Sequence, residues 1–407
     1  MKLNKWTVAL AALGVVSLAS AAKADEKASP VMTALSATTI SGYVDTSAQW
    51  NFGTGDVNLP PYKFGGPSKA DGFNLDVVQL RIEKPLDEAD WAAGYRVDLW
   101  MGPDANTLGT QSILSTGASD FALRQAYVAL RAPVGNGLDF KVGVFDTIVG
   151  YESVESPNDP NYTRSYGHSI EPQTHTGLLA TYRFSELVSA SLGVANTIGP
   201  TINDRAFYDK AESYKTYMGS IALTAPDSMG FLAGSTLYGG VVNGFNTGPL
   251  VAQTSYYAGT TVATPVTGLR AGAAFDWLER HDVQDNTYSV AGYASYQATE
   301  KLSFHARAEY FKDKNPVGAP ETALAWNSFS TVVPDGASAK VLSLTATVQY
   351  DLWKNVISRV ELRWDHSLTD TKLFGGTDFG AGPGTGTGSP ATLDNAWMLA
   401  ANIIYKF

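Results

Sequence analysis

The segment 147–174 holds the side chains best suited to metal or acid–base chemistry. His168, Glu171 and His175 follow one another at spacings of three and four residues, which would place three metal ligands on one face of a helix. No helix is predicted in this segment, so we expect no metal and no cofactor. Ser165 precedes His168 by three residues, and this pair is the candidate for nucleophilic chemistry.

Two other patterns carry weaker chemical signals. Asp365 is followed by His366, as in the acid–histidine pairs of hydrolases, but adjacent side chains on a strand point to opposite faces. Gly380, Gly382 and Gly384 alternate in a glycine-rich run, yet no helix pattern follows to complete a phosphate-binding loop. We interpret this run as a flexible outer loop. The sequence contains no Gly-x-Ser-x-Gly elbow and no P-loop.

The elements that must position these residues are strands. In 395–407 apolar and aromatic side chains fall at every second position, which suits a strand with one face in lipid. Aromatic residues near both ends would lie at the two membrane interfaces. The residues on this face are Trp397, Leu399, Ala401, Ile403, Tyr405 and Phe407.

Fifteen further segments show similar alternation, and the chain has no cysteine and a mean hydropathy of −0.09. Together they predict an all-β protein, a transmembrane antiparallel up-and-down β-barrel of about sixteen strands. The predicted strands are 40–50, 73–85, 91–101, 121–131, 138–146, 175–184, 187–197, 213–225, 231–243, 254–264, 267–277, 286–298, 301–312, 340–351, 355–367 and 395–407.

The predicted connections alternate between short and long, which is the asymmetry of short periplasmic turns and long extracellular loops. An even number of strands places both termini in the periplasm. The predicted long loops are 51–72, 102–120, 147–174, 198–212, 244–253, 278–285, 313–339 and 368–394.

Charged side chains occupy one face of several predicted strands at mid-length. An arginine or lysine facing lipid at the bilayer midplane costs about 2–4 kcal/mol, so these side chains require a wet interior. A barrel of sixteen strands is wide enough to hold an aqueous channel. In 121–131 either Arg124 or Arg131 faces outward. The predicted pore-lining residues are Arg81, Arg96, Asp98, Arg183, Arg270, Arg307, Glu309, Arg359, Glu361, Arg363 and Asp365.

Two interpretations of the arginines stay open, and they are compatible. Opposite an acidic loop, the arginines would set a transverse field that orders polar solutes. Alternatively, they pair with neighbouring carboxylates and merely satisfy a polar wall. Those carboxylates are Glu83, Asp98, Asp276, Glu309, Glu361 and Asp365.

The segment 147–174 has the composition of a constriction loop. Its tyrosines supply apolar surface for packing against a wall, its carboxylates supply charge, and long ordered loops usually serve a function. We predict that it folds into the barrel and narrows the pore; the alternative is a solvated outer loop. The residues assigned to the constriction are Tyr151, Glu152, Glu155, Asp159, Tyr162, Arg164, His168 and Glu171.

The N-terminus has the pattern of an export signal. Lys2 and Lys5 precede the apolar stretch 8–18, which is too short to span a bilayer. Cleavage after Ala24 is predicted, with Ala21 as a competing site. The predicted organisation is therefore a signal peptide over 1–24, a short lead-in over 25–38 and the transmembrane barrel over 39–407.

The charge balance argues against nucleic acid as a partner. The net charge is −10, and it becomes −13 when the three lysines of residues 1–24 are removed. Nucleic-acid binding needs a basic surface, which this chain lacks. The expected partners are instead outer-membrane lipid and small hydrophilic solutes and ions.

Several motifs, densest over 121–184, resemble the OmpL-like β-barrel porin family. The resemblance implies a bacterial outer-membrane location and pore formation, and it carries over no catalytic residue. The motifs are Ser41-Gly42-Tyr43-Val44-Asp45, Arg124-Gln125-Ala126-Tyr127-Val128, Pro133-Val134-Gly135, Gly143-Val144-Phe145-Asp146, Gly150-Tyr151-Glu152, Glu155-Ser156-Pro157, Asn161-Tyr162, Arg164-Ser165-Tyr166, Glu171-Pro172 and His175-Thr176-Gly177.

These observations predict a non-enzymatic porin that passes small hydrophilic solutes and ions by passive diffusion. Analogy with porins of this size predicts a homotrimer, and the loop carboxylates predict a mild preference for cations. The alternative is an outer-membrane barrel enzyme, a lipase or protease with its active site at the rim.

Overall fold

The computed structural model describes residues 38–53, 58–60, 62–64, 69–112, 119–206, 211–245, 252–281, 285–314, 337–376 and 391–407. Within these ranges each strand pairs with the next one, and the first pairs with the last, so the sheet closes into an antiparallel barrel. The predicted fold class is confirmed. The strands are β1 (Thr39–Trp50), β2 (Gly72–Lys84), β3 (Ala93–Met101), β4 (Phe121–Ala132), β5 (Leu138–Asp146), β6 (Thr174–Arg183), β7 (Val188–Ala195), β8 (Thr216–Thr224), β9 (Thr236–Phe245), β10 (Ala252–Ala263), β11 (Leu269–Arg280), β12 (Asp285–Gln297), β13 (Leu302–Lys314), β14 (Ser338–Trp353), β15 (Val356–Ser367) and β16 (Asn395–Lys406).

Each of the sixteen predicted strands overlaps one observed strand, and the prediction for β5 matches at both ends. The largest error is at the start of β9, which begins five residues later than predicted. The residues before it, Asp227–Leu232, form a 3-10 helix that contains Gly230 at a φ of 63°. Positive φ is inexpensive for glycine, so the chain turns here instead of extending.

The predicted long loop over 278–285 is wrong. β11 extends to Arg280 and β12 begins at Asp285, and these two residues are paired in the sheet. Strand pairing uses backbone groups, so polar side chains at a strand end do not prevent it. The β9–β10 connection is likewise shorter than predicted, since β9 ends at Phe245 and β10 begins at Ala252.

The two faces of the sheet differ as the alternation predicts. In β16, Met398 and Ala400 are fully buried, whereas Ile403 and Tyr405 are each 50% exposed. β15 repeats the pattern, with Glu361 fully buried and neighbouring apolar residues facing out. The outer surface is therefore apolar and the inner surface polar, which is the arrangement required of a sheet that faces lipid outside and polar groups inside.

The prediction that either Arg124 or Arg131 faces outward is wrong, because both side chains are buried on the inner face. The register between β3 and β4 shifts at Asp98 and Leu99, which leaves Arg124 as an extra residue in β4. A β-bulge of this kind reverses the alternation beyond it. Arg131 binds Asp139 through two hydrogen bonds of 2.6 and 2.7 Å.

The ladder that joins β1 to β16, from Tyr43 and Lys406 to Trp50 and Leu399, is extended by Gly42 and Phe407. The backbone N–H of Gly42 donates to Phe407 O at 2.9 Å, and the N–H of Phe407 donates back at 3.0 Å. A Cβ on Gly42 would lie 2.1 Å from the carbonyl oxygen of Gln79. Glycine is therefore the residue that permits this close approach between β1 and β2.

Two short helices lie in the long connections, α1 (Pro103–Asn106) and α2 (Tyr166–Ile170), and Ser156–Asn158 forms a 3-10 helix. Across the described ranges, no helix combines the length and the apolar character needed to cross a membrane. The predicted signal peptide over 1–24, nearly all of the lead-in over 25–38 and the run from Gly380 to Gly384 lie outside the described residues.

An arginine on the outer face should destabilise the barrel. Leu362 is 42% exposed at mid-strand, so we expect Leu362→Arg to lower the free energy of unfolding in lipid vesicles by about 2–4 kcal/mol. Val134→Arg, in the short β4–β5 turn, is the matched control and should change it by less than about 0.5 kcal/mol. Urea titration followed by tryptophan fluorescence measures both values, and equal stabilities would contradict the orientation of β15.

Candidate functional site: the loop inside the barrel

The loop of residues 147–173, which joins β5 to β6, contacts inner-face side chains of strands on opposite sides of the barrel. We call it the inner loop. Its Glu155 contacts β2, β3 and β4, its Thr163 contacts β15, and its Tyr151 stacks on Tyr293 of β12. Most of its side chains are buried. The inner loop therefore lies across the lumen and is not a solvated outer segment.

One end of the inner loop is held by a cluster of charges around Glu155. The guanidinium groups of Arg96 and Arg124 donate to Glu155 Oε1 at 3.0 and 2.9 Å, and Arg81 contacts the same oxygen. Arg81, Arg96 and Arg124 also bind Asp98 of β3, at 2.8, 2.7 and 3.1 Å respectively. Burial opposes the ionisation of Glu155, but the arginines outweigh it and lower its pKa.

A second ion pair joins Glu152 to Arg307 of β13 at 2.7 Å, with both side chains at most 2% exposed. Arg307 also donates to the carbonyl oxygens of Thr163 and Arg164, at 2.8 and 3.3 Å. One wall arginine therefore binds two separate parts of the inner loop. Burial opposes the ionisation of Glu152, but the charge of Arg307 dominates and lowers the pKa of Glu152.

Two wall carboxylates bind the backbone of the inner loop instead of an arginine. Glu361 of β15 accepts the N–H groups of Tyr162 and Thr163 at 2.6 and 3.0 Å, and the hydroxyl of Thr163 at 2.6 Å. Glu309 of β13 accepts the N–H groups of Tyr166 and Gly167, both at 2.9 Å. The bonds to Glu309 satisfy backbone donors of the first turn of α2, which have no partner within the helix.

Two further wall arginines bind backbone carbonyl groups of the inner loop. Arg359 donates to Ser156 O at 3.1 Å and to Asp159 O at 2.6 Å. Arg363 donates to Arg164 O at 2.7 Å and pairs with Asp365 at 3.0 Å. Both guanidinium groups therefore bind the inner loop, and neither faces an open lumen.

The remaining contact is apolar. Ile148 and Val149 belong to a buried cluster with residues of β6 to β9, and Tyr238 of β9 donates its hydroxyl to Ile148 O. Tyr151 stacks on Tyr293 with ring centroids 4.0 Å apart. The inner loop is thus held by ionic contacts on one side of the barrel and by packing on the other.

An acid pair lies beneath α2. The carboxyl of Glu171 hydrogen-bonds that of Asp276 on β11, and burial together with Asp276 raises the pKa of Glu171 well above its ordinary value. Asp159 is also buried, and its pKa is raised to about 7 despite Arg164 at 2.9 Å. The docked loop therefore favours the protonated form of both acids.

The described part of the β1–β2 connection, which sequence reasoning did not single out, also contacts the inner loop, since the guanidinium of Arg164 lies 5.7 Å from the ring of Phe64. Tyr62 donates its hydroxyl to Asp365 at 3.1 Å, and its ring lies 4.4 Å from the guanidinium of Arg363. Lys69 pairs with Asp76 at 2.5 Å and with Asp104 at 2.6 Å. The sequence signal that could have indicated this contact is the group of aromatic and basic residues within the predicted loop.

The predicted pore-lining residues do not all come together. Arg183 lies beside the β6–β7 turn, where its Nε donates to Ser185 O at 3.0 Å, and Arg270 donates to Gly234 O at 3.2 Å. These two bonds do not join Arg183 or Arg270 to the inner loop. Predicted residues that do contact it directly or through a wall partner are Arg81, Arg96, Asp98, Arg307, Glu309, Arg359, Glu361, Arg363 and Asp365.

The candidate metal and nucleophile residues have other contacts. A helix does form here, contrary to expectation, but α2 ends before Glu171, and His175 lies 3.1 Å from Thr147 Oγ1. In the part of the chain that the structure describes, no three His, Cys, Asp or Glu side chains form a metal-binding group. Ser165 Oγ accepts the backbone N–H of His168 as the cap of α2, at 3.0 Å.

Asp365 and His366 lie on opposite faces of β15. Asp365 is fully buried inside the barrel, whereas the His366 ring stacks on Trp364 and contacts Asn395 Oδ1 at 2.9 Å. The imidazole therefore cannot exchange a proton with its neighbour across the sheet. This geometry gives the enzyme alternative no acid–histidine pair at this position.

Neutralising Glu155 should weaken docking of the inner loop. Glu155→Gln would leave three buried guanidinium groups facing only Asp98 and Asp146, and breaking a buried ion pair on one side costs about 3–5 kcal/mol. We expect the amides of residues 150–160 to exchange hydrogen for deuterium faster. Glu83→Gln, an inner-face acid near a short turn, is the control; unchanged protection in the Glu155 variant would contradict the anchoring role.

Docking should also weaken with rising pH. A carboxyl whose pKa is raised by docking stabilises the docked state fully below its ordinary pKa and loses that contribution as pH rises through the docked-state pKa. Between about pH 4 and pH 7, Asp159 should cost the docked loop up to about 1.4 kcal/mol per pH unit, and Glu171 should act in the same direction above its ordinary pKa.

Hydrogen exchange of the amides of the inner loop, measured as a function of pH, separates the contribution of Glu171 to docking from those of its neighbours. The charged and titratable groups facing Glu171 are Asp276, Glu309, Glu152, His168 and Lys63. Burial lowers the pKa of His168 to about 3, so it stays neutral in this range. Glu171→Gln should therefore flatten the pH dependence of amide exchange in the loop, and an unchanged slope would rule out this carboxyl as its source.

Solved structures with a similar fold include outer-membrane proteins. The chain is similar to Salmonella typhi OmpF in complex with daunomycin (15% identity, 91% of this chain and 97% of that one, TM-score 0.57) and to the outer membrane channel DcaP of Acinetobacter baumannii (12%, 91% and 97%, 0.56). It is also similar to the trimer form of OmpT, an outer membrane protein of Vibrio cholerae (13%, 91% and 99%, 0.53).

No curated protein matches the chain in sequence. The family described as "Putative beta-barrel porin-2, OmpL-like" matches residues 37–407, which include the whole barrel and the inner loop. The resemblance predicted from the motifs around the inner loop is thereby confirmed, and this chain belongs to the OmpL-like β-barrel porin-2 family.

Proposed function

We propose that the protein is an outer-membrane porin, a passive channel for small hydrophilic solutes and ions that is narrowed by its inner loop. Family membership and the closed barrel support the channel. The observation that carries the constriction is the contact of one loop with walls on opposite sides of the lumen, at Glu155 and at Tyr151. A segment in that position limits the size of what passes.

The spaces beside the inner loop support a narrow passage. Two cavities that it lines, one near Arg124 and one near Trp100, hold about 30 and 20 Å³. Each has room for only about one or two water molecules. The inner loop is therefore packed closely against the wall at both places, which supports a narrow passage and a low expected conductance.

The proposed ion selectivity does not arise from an electric field between an acidic loop and a basic wall. Glu152 and Glu155 are ion-paired to wall arginines, while Asp159 and Glu171 have raised pKa values. Most loop charge is thus neutralised locally. We expect a weak preference for cations, measured as a reversal potential across a salt gradient; a strong anion preference would mean that unpaired arginines dominate.

The proposed function also requires export to the outer membrane and assembly there. The export signal over 1–24 would deliver the chain to the bacterial outer membrane, and the barrel would sit there with its long connections outside. The trimer form of a protein of similar fold supports a homotrimer. Heat-modifiable gel mobility and chemical cross-linking in detergent test the barrel and its oligomeric state.

Removing the constriction should raise the conductance. We expect replacement of residues 152–170 by a short Gly-Ser linker to increase single-channel conductance several-fold in planar bilayers, because the barrel wall remains while the crossing segment is lost. The control replaces the exposed Met229 and Phe231 in the β8–β9 connection with glycine and should conduct like the parent. A parent protein that inserts without passing ions would contradict the channel itself.

A further inference from the structure

A cavity of about 360 Å³ lies at the long-loop end of the barrel. It is lined by residues 62–63, 107–109, 169–173 and 198–200 from four connections and by the inner faces of β10 and β11. We call it the vestibule cavity. Its volume falls within the range of about 300–1,000 Å³ that is typical of small-molecule sites. No contact between the inner loop and the arginine wall requires such a space.

One part of the vestibule cavity is apolar. Leu108, Ile170, Ile198 and Leu278 line it, and their side chains are between 2% and 5% exposed. These four residues come from three connections and one strand, so the fold gathers them from distant parts of the chain. A surface of this kind holds the hydrocarbon part of a ligand.

Polar groups without partners line the same cavity. The Nε2 atom of Gln253, the Oγ atom of Ser255 and the Oε1 atom of Gln173 are buried and have no hydrogen-bond partner among the described residues. Buried polar groups in native proteins are nearly always hydrogen-bonded. Three unpaired groups at one cavity point to a bound molecule that supplies the missing partners.

The charge at the cavity comes from Lys63. Its side chain is partly buried and lines the cavity, and it forms no ion pair within 4 Å among the described residues. Burial lowers the pKa of Lys63 to about 8, so the ammonium group remains charged at neutral pH. The carboxyl group in the lining, Glu171, favours its protonated form, because burial and the neighbouring Asp276 raise its pKa.

We propose that the vestibule cavity binds small organic monocarboxylates that have an apolar body, with the carboxylate at Lys63, Gln253 and Ser255. An ammonium, an amide N–H and a hydroxyl are donors suited to a carboxylate. A dicarboxylate would place its second charge in apolar surroundings, and an organic cation would face Lys63. The inference rests on the proposed channel, for which the cavity would be an entry site that concentrates one class of solute.

Phenylacetate tests the site, with phenylacetamide as the uncharged probe of the same shape. We expect the full chain in detergent to bind phenylacetate at least tenfold more tightly than phenylacetamide in isothermal titration calorimetry at pH 7. Lys63→Met should weaken phenylacetate binding tenfold or more and leave phenylacetamide unchanged, because only the ionic contact is lost. Gln253→Leu should weaken it several-fold.

Lys301→Met is the matched control, since Lys301 lies in the β12–β13 turn at the opposite end of the barrel. It should bind phenylacetate like the parent protein, and heat-modifiable mobility verifies that every variant is folded. Equal affinity for the two probes, or parental affinity in the Lys63 variant, would overturn the site. Conductance of the unliganded protein distinguishes the two proposals: normal conductance without phenylacetate binding overturns only this inference, whereas absent conductance overturns the channel.

Discussion

The structure depends on the requirement that charges facing the interior of the barrel be paired. Arg81, Arg96 and Arg124 approach one another on three adjacent strands, where Asp98 alone could not neutralise them. The inner loop supplies Glu155 to this group, and Asp146 completes the balance. Buried charges are tolerated only when they are paired and hydrogen-bonded. The arginine wall and the inner loop are therefore interdependent, and each is stable in its position because the other is present.

This interdependence changes how the channel should be understood. An arginine wall facing an open lumen would act on passing solutes through a long-range field. Here Arg307, Arg359 and Arg363 are bound to the carboxylate of Glu152 or to loop carbonyl groups. Their first role is to position the inner loop, and their influence on solutes is secondary. If the channel is constricted as proposed, its selectivity would depend on the strength of docking more than on the number of charges in the lumen.

Much of the fold was predictable because a barrel imposes strict alternation on every strand. The period of two places Arg359, Glu361 and Arg363 on one face and apolar residues on the other, and sixteen such strands with alternating short and long connections are the pattern of a membrane barrel. The bulge at Arg124 was not predictable, since an extra residue interrupts the period and nothing in the side-chain pattern reveals which residue is extra. The same limitation applies to β11 and β12, which continue through polar residues because their pairing is backbone-driven.

The site was predictable in composition but not in its pairings. A tyrosine-rich acidic loop indicates a segment that packs inside, yet sequence spacing cannot show that Glu309 and Glu361 bind backbone N–H groups while Glu152 binds an arginine. Glu171 illustrates the consequence, because it lines the vestibule cavity and also shares a hydrogen bond with Asp276. Any anion that occupies the cavity near Lys63 would raise the cost of ionising Glu171, and protonated Glu171 favours the docked loop. By linkage, docking of the inner loop and occupancy of the vestibule cavity must then influence each other to the same extent.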